Sequence, residues 1–69
     1  MIYSFRKGME QLRYADFPKA KKEIMQALNI TSRMSWSARL NGKVQPKVAE
    51  KEAIEGVLNK YGVTENIWG

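Results

Sequence analysis

The sequence predicts an all-α fold, a small bundle of four to five helices, and three features predict it. Apolar residues recur at three- and four-residue steps along most of the chain, the spacing of one helix face. No stretch alternates apolar and polar residues as a half-buried strand would. Asn29, Asn41-Gly42 and Gly62 stand where the periodic segments stop, and these residue types tolerate the left-handed turn that ends a helix. At 69 residues, the chain holds one domain, spanning 1–69.

The first segment places Ile2, Phe5, Met9 and Leu12 on one face, which predicts a helix over about 2–14. Gly8 lies inside it and weakens it by about 1 kcal/mol relative to Ala. Asp16-Phe17-Pro18 marks the next start. Asp16 is a capping residue, and Pro18 occupies the first turn, where a missing N–H costs nothing. The helix then runs over 17–28, with Ala20, Ile24, Ala27 and Leu28 as its buried stripe. Asn29 turns the chain and Ile30 packs back under the turn.

Thr31-Ser32 caps a third helix over 32–41, anchored inward by Trp36 and Leu40, and Asn41-Gly42 stops it. Pro46 delays the restart within the loop 43–47. A fourth helix over 47–61 buries Ala49, Ala53, Ile54, Val57, Leu58 and Tyr61, and Gly62-Val63 closes it. The tail 62–69 carries Ile67 and Trp68, which need cover from the domain or from a partner.

Charge separates along the chain. Its net value is +5, and the excess sits in residues 1–47. The window from Ile30 to Lys47 contains Arg33, Arg39, Lys43 and Lys47 and no acidic residue. A stretch of one sign raises the local potential and gathers polyanions. Cysteine and histidine are both absent, which removes disulfides, thiolate metal sites, the usual general base and the usual neutral metal ligand. Glu50, Glu52 and Glu55 form the densest acidic group, but on a helix they belong to a solvated face. The serines have no base beside them, and no glycine-rich phosphate loop is present. The expectation is a non-enzyme with no cofactor, no metal and no small-molecule substrate. Its longest apolar run is Met1 to Tyr3, too short for a membrane span, and a cytoplasmic protein is expected, nucleoid-associated when bound to DNA.

Two helices joined by the tight turn at Leu28-Asn29-Ile30, the second of them free of acidic residues, describe a helix–turn–helix. Its second helix can enter the major groove of DNA, which is about 12 Å wide. The residues Leu28-Asn29-Ile30-Thr31, then Ser35 to Lys43 ending in Leu40-Asn41-Gly42-Lys43, then Pro46 and a helix ending Tyr61-Gly62-Val63, resemble the phage-repressor-like (lambda-repressor-like) helix–turn–helix family. Asn29 stands where that family carries Gly. The resemblance spans about residues 17–63 and implies a sequence-specific binder of double-stranded DNA, often a homodimer. Such a chain is a small transcriptional regulator or a mobile-element accessory factor of bacterial or phage type. It implies base-reading roles for Arg33, Met34, Ser37 and Ala38. Ser32, Ser35, Arg39, Lys43, Gln45, Lys47 and Lys19 are expected to touch phosphates or flank the site. The competing expectation is a protein-interaction module that docks a partner through the apolar Met34/Ala38 face or the Ile67-Trp68 tail.

Overall fold

In the computed structural model, which describes residues 3–69, three helices end in the same left-handed turn. After Phe17–Ala27, Ile30 N–H donates to the Met25 carbonyl (3.0 Å) and Asn29 N–H to Gln26 (3.1 Å). After Arg33–Leu40, Lys43 donates to Ala38 (2.9 Å) and Gly42 to Arg39 (3.2 Å). After Val48–Lys60, Val63 donates to Leu58 (2.9 Å) and Gly62 to Asn59 (3.0 Å). The paired bonds define the Schellman motif, and Asn29, Gly42 and Gly62 each take the positive φ it requires.

The domain is all-α, with four helices and no strand among the described residues: α1 (Arg6–Glu10), α2 (Phe17–Ala27), α3 (Arg33–Leu40) and α4 (Val48–Lys60). The last three match their expected ranges to within a residue at each end. The first helix is much shorter than the expected 2–14, and Ile2 of its predicted stripe lies outside the described residues. At its start, Ser4 is committed elsewhere: its carbonyl accepts from Gly69 N–H (3.0 Å) and its hydroxyl donates to the Leu40 carbonyl (2.9 Å). At its end, Gln11 and Leu12 bond back only three residues, to Gly8 and Met9, the tight geometry in which helices unwind.

Asp16 does not cap α2 with its side chain. Its backbone is already helical (φ −88°, ψ −21°), whereas a capping side chain reaches the free amides from an extended residue. Ala27 and Ala49, assigned to buried stripes, are exposed near helix ends.

The core gathers Phe5, Met9, Ile24, Trp36, Ile54 and Leu58, with Val63 and Ile67 closing it from the C-terminal side. Phe5 stands edge-on to both tryptophans, with ring centroids 5.5 Å from Trp36 and 5.9 Å from Trp68. Such arrangements add to plain area burial. The tail packs on the domain: Ile67 is buried, and Trp68 packs on Phe5 while its indole N–H donates to Glu55 (2.8 Å). Gly8 makes this closure possible. Its N–H donates to the Ile67 carbonyl, and a Cβ there would meet Leu58 Cδ1 at 2.9 Å.

Helices α2 and α4 form the main helix pair. Glu23 on α2 clamps it by accepting from Lys60 Nζ (2.7 Å) and from the Tyr61 hydroxyl.

Candidate nucleic-acid interface

Trp36 sets the orientation of α3. It is the one buried residue of the helix, and Lys21 of α2 lies over its ring at 5.6 Å. With Trp36 inward, Arg33, Ser37 and Asn41 follow at four-residue steps along one edge of α3, and all three are exposed. Met34, one residue over, is 83% exposed, and Ala38 is half-buried.

Ser32 caps α3. Its Oγ accepts from Ser35 N–H (3.1 Å) and its hydroxyl donates to Ser35 Oγ (2.9 Å), so the Ser32 and Ser35 hydroxyls are engaged with each other at the helix start. Lys43, Gln45 and Lys47 are exposed after the helix, and Lys19 is exposed on the first turn of α2.

Arg39 departs from the expected flanking role. It leaves α3 on the opposite edge and makes two parallel bonds to Glu50 of α4, Nη1 to Oε1 at 3.1 Å and Nη2 to Oε2 at 3.3 Å. Its side chain is only 19% exposed. Glu50 also accepts from Lys47 N–H at the start of α4 (2.9 Å). That backbone bond and then the Arg39 guanidinium hold the Glu50 carboxyl below its ordinary pKa. Arg39 therefore links α3 to α4, and the positive groups left outward around α3 are Arg33, Lys43 and Lys47.

A further cation joins them from a distant part of the chain. Arg6 Nη2 donates to Asn41 Oδ1 (2.9 Å), and Asn41 Nδ2 donates to Ser37 Oγ (3.2 Å). Neither Arg6 nor Asn41 was expected at the site. Asn41 has a visible local role as a helix end, and Arg6 lies 35 residues away with no local signal to connect it. Gly42 makes the approach possible: its backbone abuts the chain at Tyr3-Ser4, and a Cβ would sit 2.7 Å from Ser4 N.

Among the described residues no cluster of acidic side chains could hold a metal ion, and no helix is long and apolar enough to cross a membrane. The chain matches no family model, and no curated protein or solved structure matches it either.

Proposed function

We propose that the chain is a small helix–turn–helix protein of the phage-repressor-like kind that binds double-stranded DNA, with α3 in the major groove. The observation that carries this reading is the outward edge of α3. Arg33, Ser37 and Asn41 share it, Arg6 joins it through Asn41, and Lys43 extends it beyond the helix end. A helix bracketed by cations and carrying small polar side chains between them suits a groove lined by phosphates and base edges. Arg33, Met34 and Ser37 face the bases, and Met34 suits a thymine methyl group. Lys43, Lys47 and Lys19 neutralise phosphates, while Arg39 serves the packing of α3 on α4. The work of such a chain is regulatory or accessory to recombination, and not catalytic.

The competing reading is a protein-docking module. Ile67 is buried and Trp68 packs half-buried on Phe5, which weighs against its Ile67-Trp68 version. Its Met34 version rests on that residue's exposure.

Fluorescence anisotropy with random-sequence duplex DNA across a salt series separates the two readings. About three to five phosphate contacts give log K falling against log salt with a slope of about −3 to −5. Micromolar protein that leaves the duplex unbound at low salt would reject the DNA reading in favour of the Met34 face.

A further inference from the structure

The chain Arg6–Asn41–Ser37 has a direction, and that direction determines what Ser37 can offer a ligand. A guanidinium only donates hydrogen bonds. Arg6 therefore fixes the carbonyl oxygen of the Asn41 side chain toward itself (2.9 Å) and turns the amide nitrogen toward Ser37. That nitrogen donates to Ser37 Oγ (3.2 Å), and a hydroxyl that accepts from one side keeps its own hydrogen for another partner. Among the described residues, no acceptor takes it. Ser37 stands exposed in the middle of the outward edge of α3, so its hydrogen is available to a molecule that lies against that edge.

Resting on the reading of α3 as the groove-facing helix, the geometry points to Ser37 as a specificity-determining residue. The Arg6–Asn41 pair polarises it as a hydrogen-bond donor. Its targets are the acceptors of the major groove: purine N7, guanine O6 or thymine O4. Cytosine, whose edge there is an amino donor, meets only the one lone pair that Asn41 leaves free and is disfavoured at that place on the contacted strand. Arg6 and Asn41 are positioning residues, acting through the orientation of one side-chain amide. The loss of a single neutral hydrogen bond corresponds to a preference of about three- to tenfold.

The test is selection from a randomised duplex pool, with sequencing of the bound fraction, for the full chain and four variants. Ser37→Ala removes the donor. Asn41→Ala and Arg6→Met release the hydroxyl, and Arg6→Lys keeps both a donor and a positive charge. Melting curves establish that each variant is folded. The expected result is one position of the selected site at which the unaltered chain disfavours cytosine. Ser37→Ala, Asn41→Ala and Arg6→Met each flatten that position alone, and Arg6→Lys restores it. An unchanged preference in Ser37→Ala overturns the assignment. So does a preference that Ser37→Ala loses while Asn41→Ala and Arg6→Met keep it. A uniform loss of affinity across all sequences in Arg6→Met, with the preference intact, shows Arg6 acting as a phosphate charge only and overturns its positioning role. A chain that binds duplex but selects no sequence overturns this inference and spares the proposed function. A chain that binds no duplex at low salt overturns both.

Discussion

Arg39 on α3 and Glu50 on α4 meet through two parallel hydrogen bonds, 3.1 and 3.3 Å long. The pair belongs to the scaffold, because it fixes the last turn of α3 against the first turn of α4. Bidentate geometry favours it, and partial exposure limits it to about 0.5–1 kcal/mol of coupling. A double-mutant cycle of Arg39→Ala and Glu50→Ala, read by denaturant unfolding, is expected to return that coupling. Glu50→Ala costs more than Arg39→Ala, since it also strips the acceptor from Lys47 N–H at the helix start. Arg39→Ala leaves the salt slope of duplex binding unchanged. A slope reduced by about one would place Arg39 on a phosphate instead.

Trp36 is a core anchor under α3, covered by Phe5 and by Lys21. Trp36→Ala is expected to cost about 3–5 kcal/mol. That rivals the whole stability of a domain this size, about 3–10 kcal/mol. Thermal melting therefore shows a largely unfolded variant, while Trp36→Phe stays folded with a lower midpoint. A Trp36→Ala variant that melts like the parent would contradict the placement.

The glycines divide by what surrounds them. Gly42 and Gly62 both have positive φ, but only Gly42 has a backbone pressed against it, with Ser4 N 2.7 Å from an added Cβ. Gly62→Ala is expected to cost about 1 kcal/mol, the left-handed strain alone. Gly42→Ala costs more than that, because the Tyr3-Ser4 segment must also move. Gly56 lies within α4 with open space around it, so Gly56→Ala is expected to stabilise by about 0.5–1 kcal/mol. Chemical denaturation of the three variants gives the order, and a Gly42→Ala cost equal to that of Gly62→Ala would contradict the close approach.

The α2–α4 clamp makes stability depend on pH at both extremes. Glu23 titrates below its ordinary range because it accepts from Lys60 and from Tyr61. Its contribution is complete above the ordinary glutamate pKa of about 4.3 and is lost as pH falls through the lower folded value. Lys60 and Tyr61 are both raised, chiefly by their hydrogen bonds to Glu23. Their contributions are complete below about pH 10 and are lost as pH rises through the folded values. With no histidine in the chain, melting temperature is expected to be flat from about pH 6 to 8. Glu23→Gln shallows both limbs of the profile. A Glu23→Gln profile with the parent's acid and alkaline limbs would show that the clamp contributes nothing.

The features legible in the sequence were those whose causes are local. Asn29, Gly42 and Gly62 end their helices through bonds that close within six residues, and the ranges of α2, α3 and α4 followed. Features with remote causes were hidden. The late start of α1 goes with Ser4 and Gly8, four residues apart, bonding not to each other but to Gly69 and Ile67 at the other end of the chain. The exposed edge of α3 was readable from the spacing of Trp36 and Leu40. Two corrections to the candidate site came from side chains that reach across the fold. Arg39 looked free because Glu50 belongs to the next helix, and Arg6 looked irrelevant because only the folded chain brings it to Asn41.

The most direct test of the central claim is a heteronuclear NMR titration of the folded chain with a short duplex at low salt. Amide shifts are expected to concentrate at Arg6, from Ser32 to Ala38, and from Asn41 to Gln45, with the Glu23–Lys60–Tyr61 side left quiet. Shifts centred on Glu23, Lys60 and Tyr61 instead, or a spectrum that duplex leaves unchanged, would contradict the assignment of α3 as the DNA-reading helix.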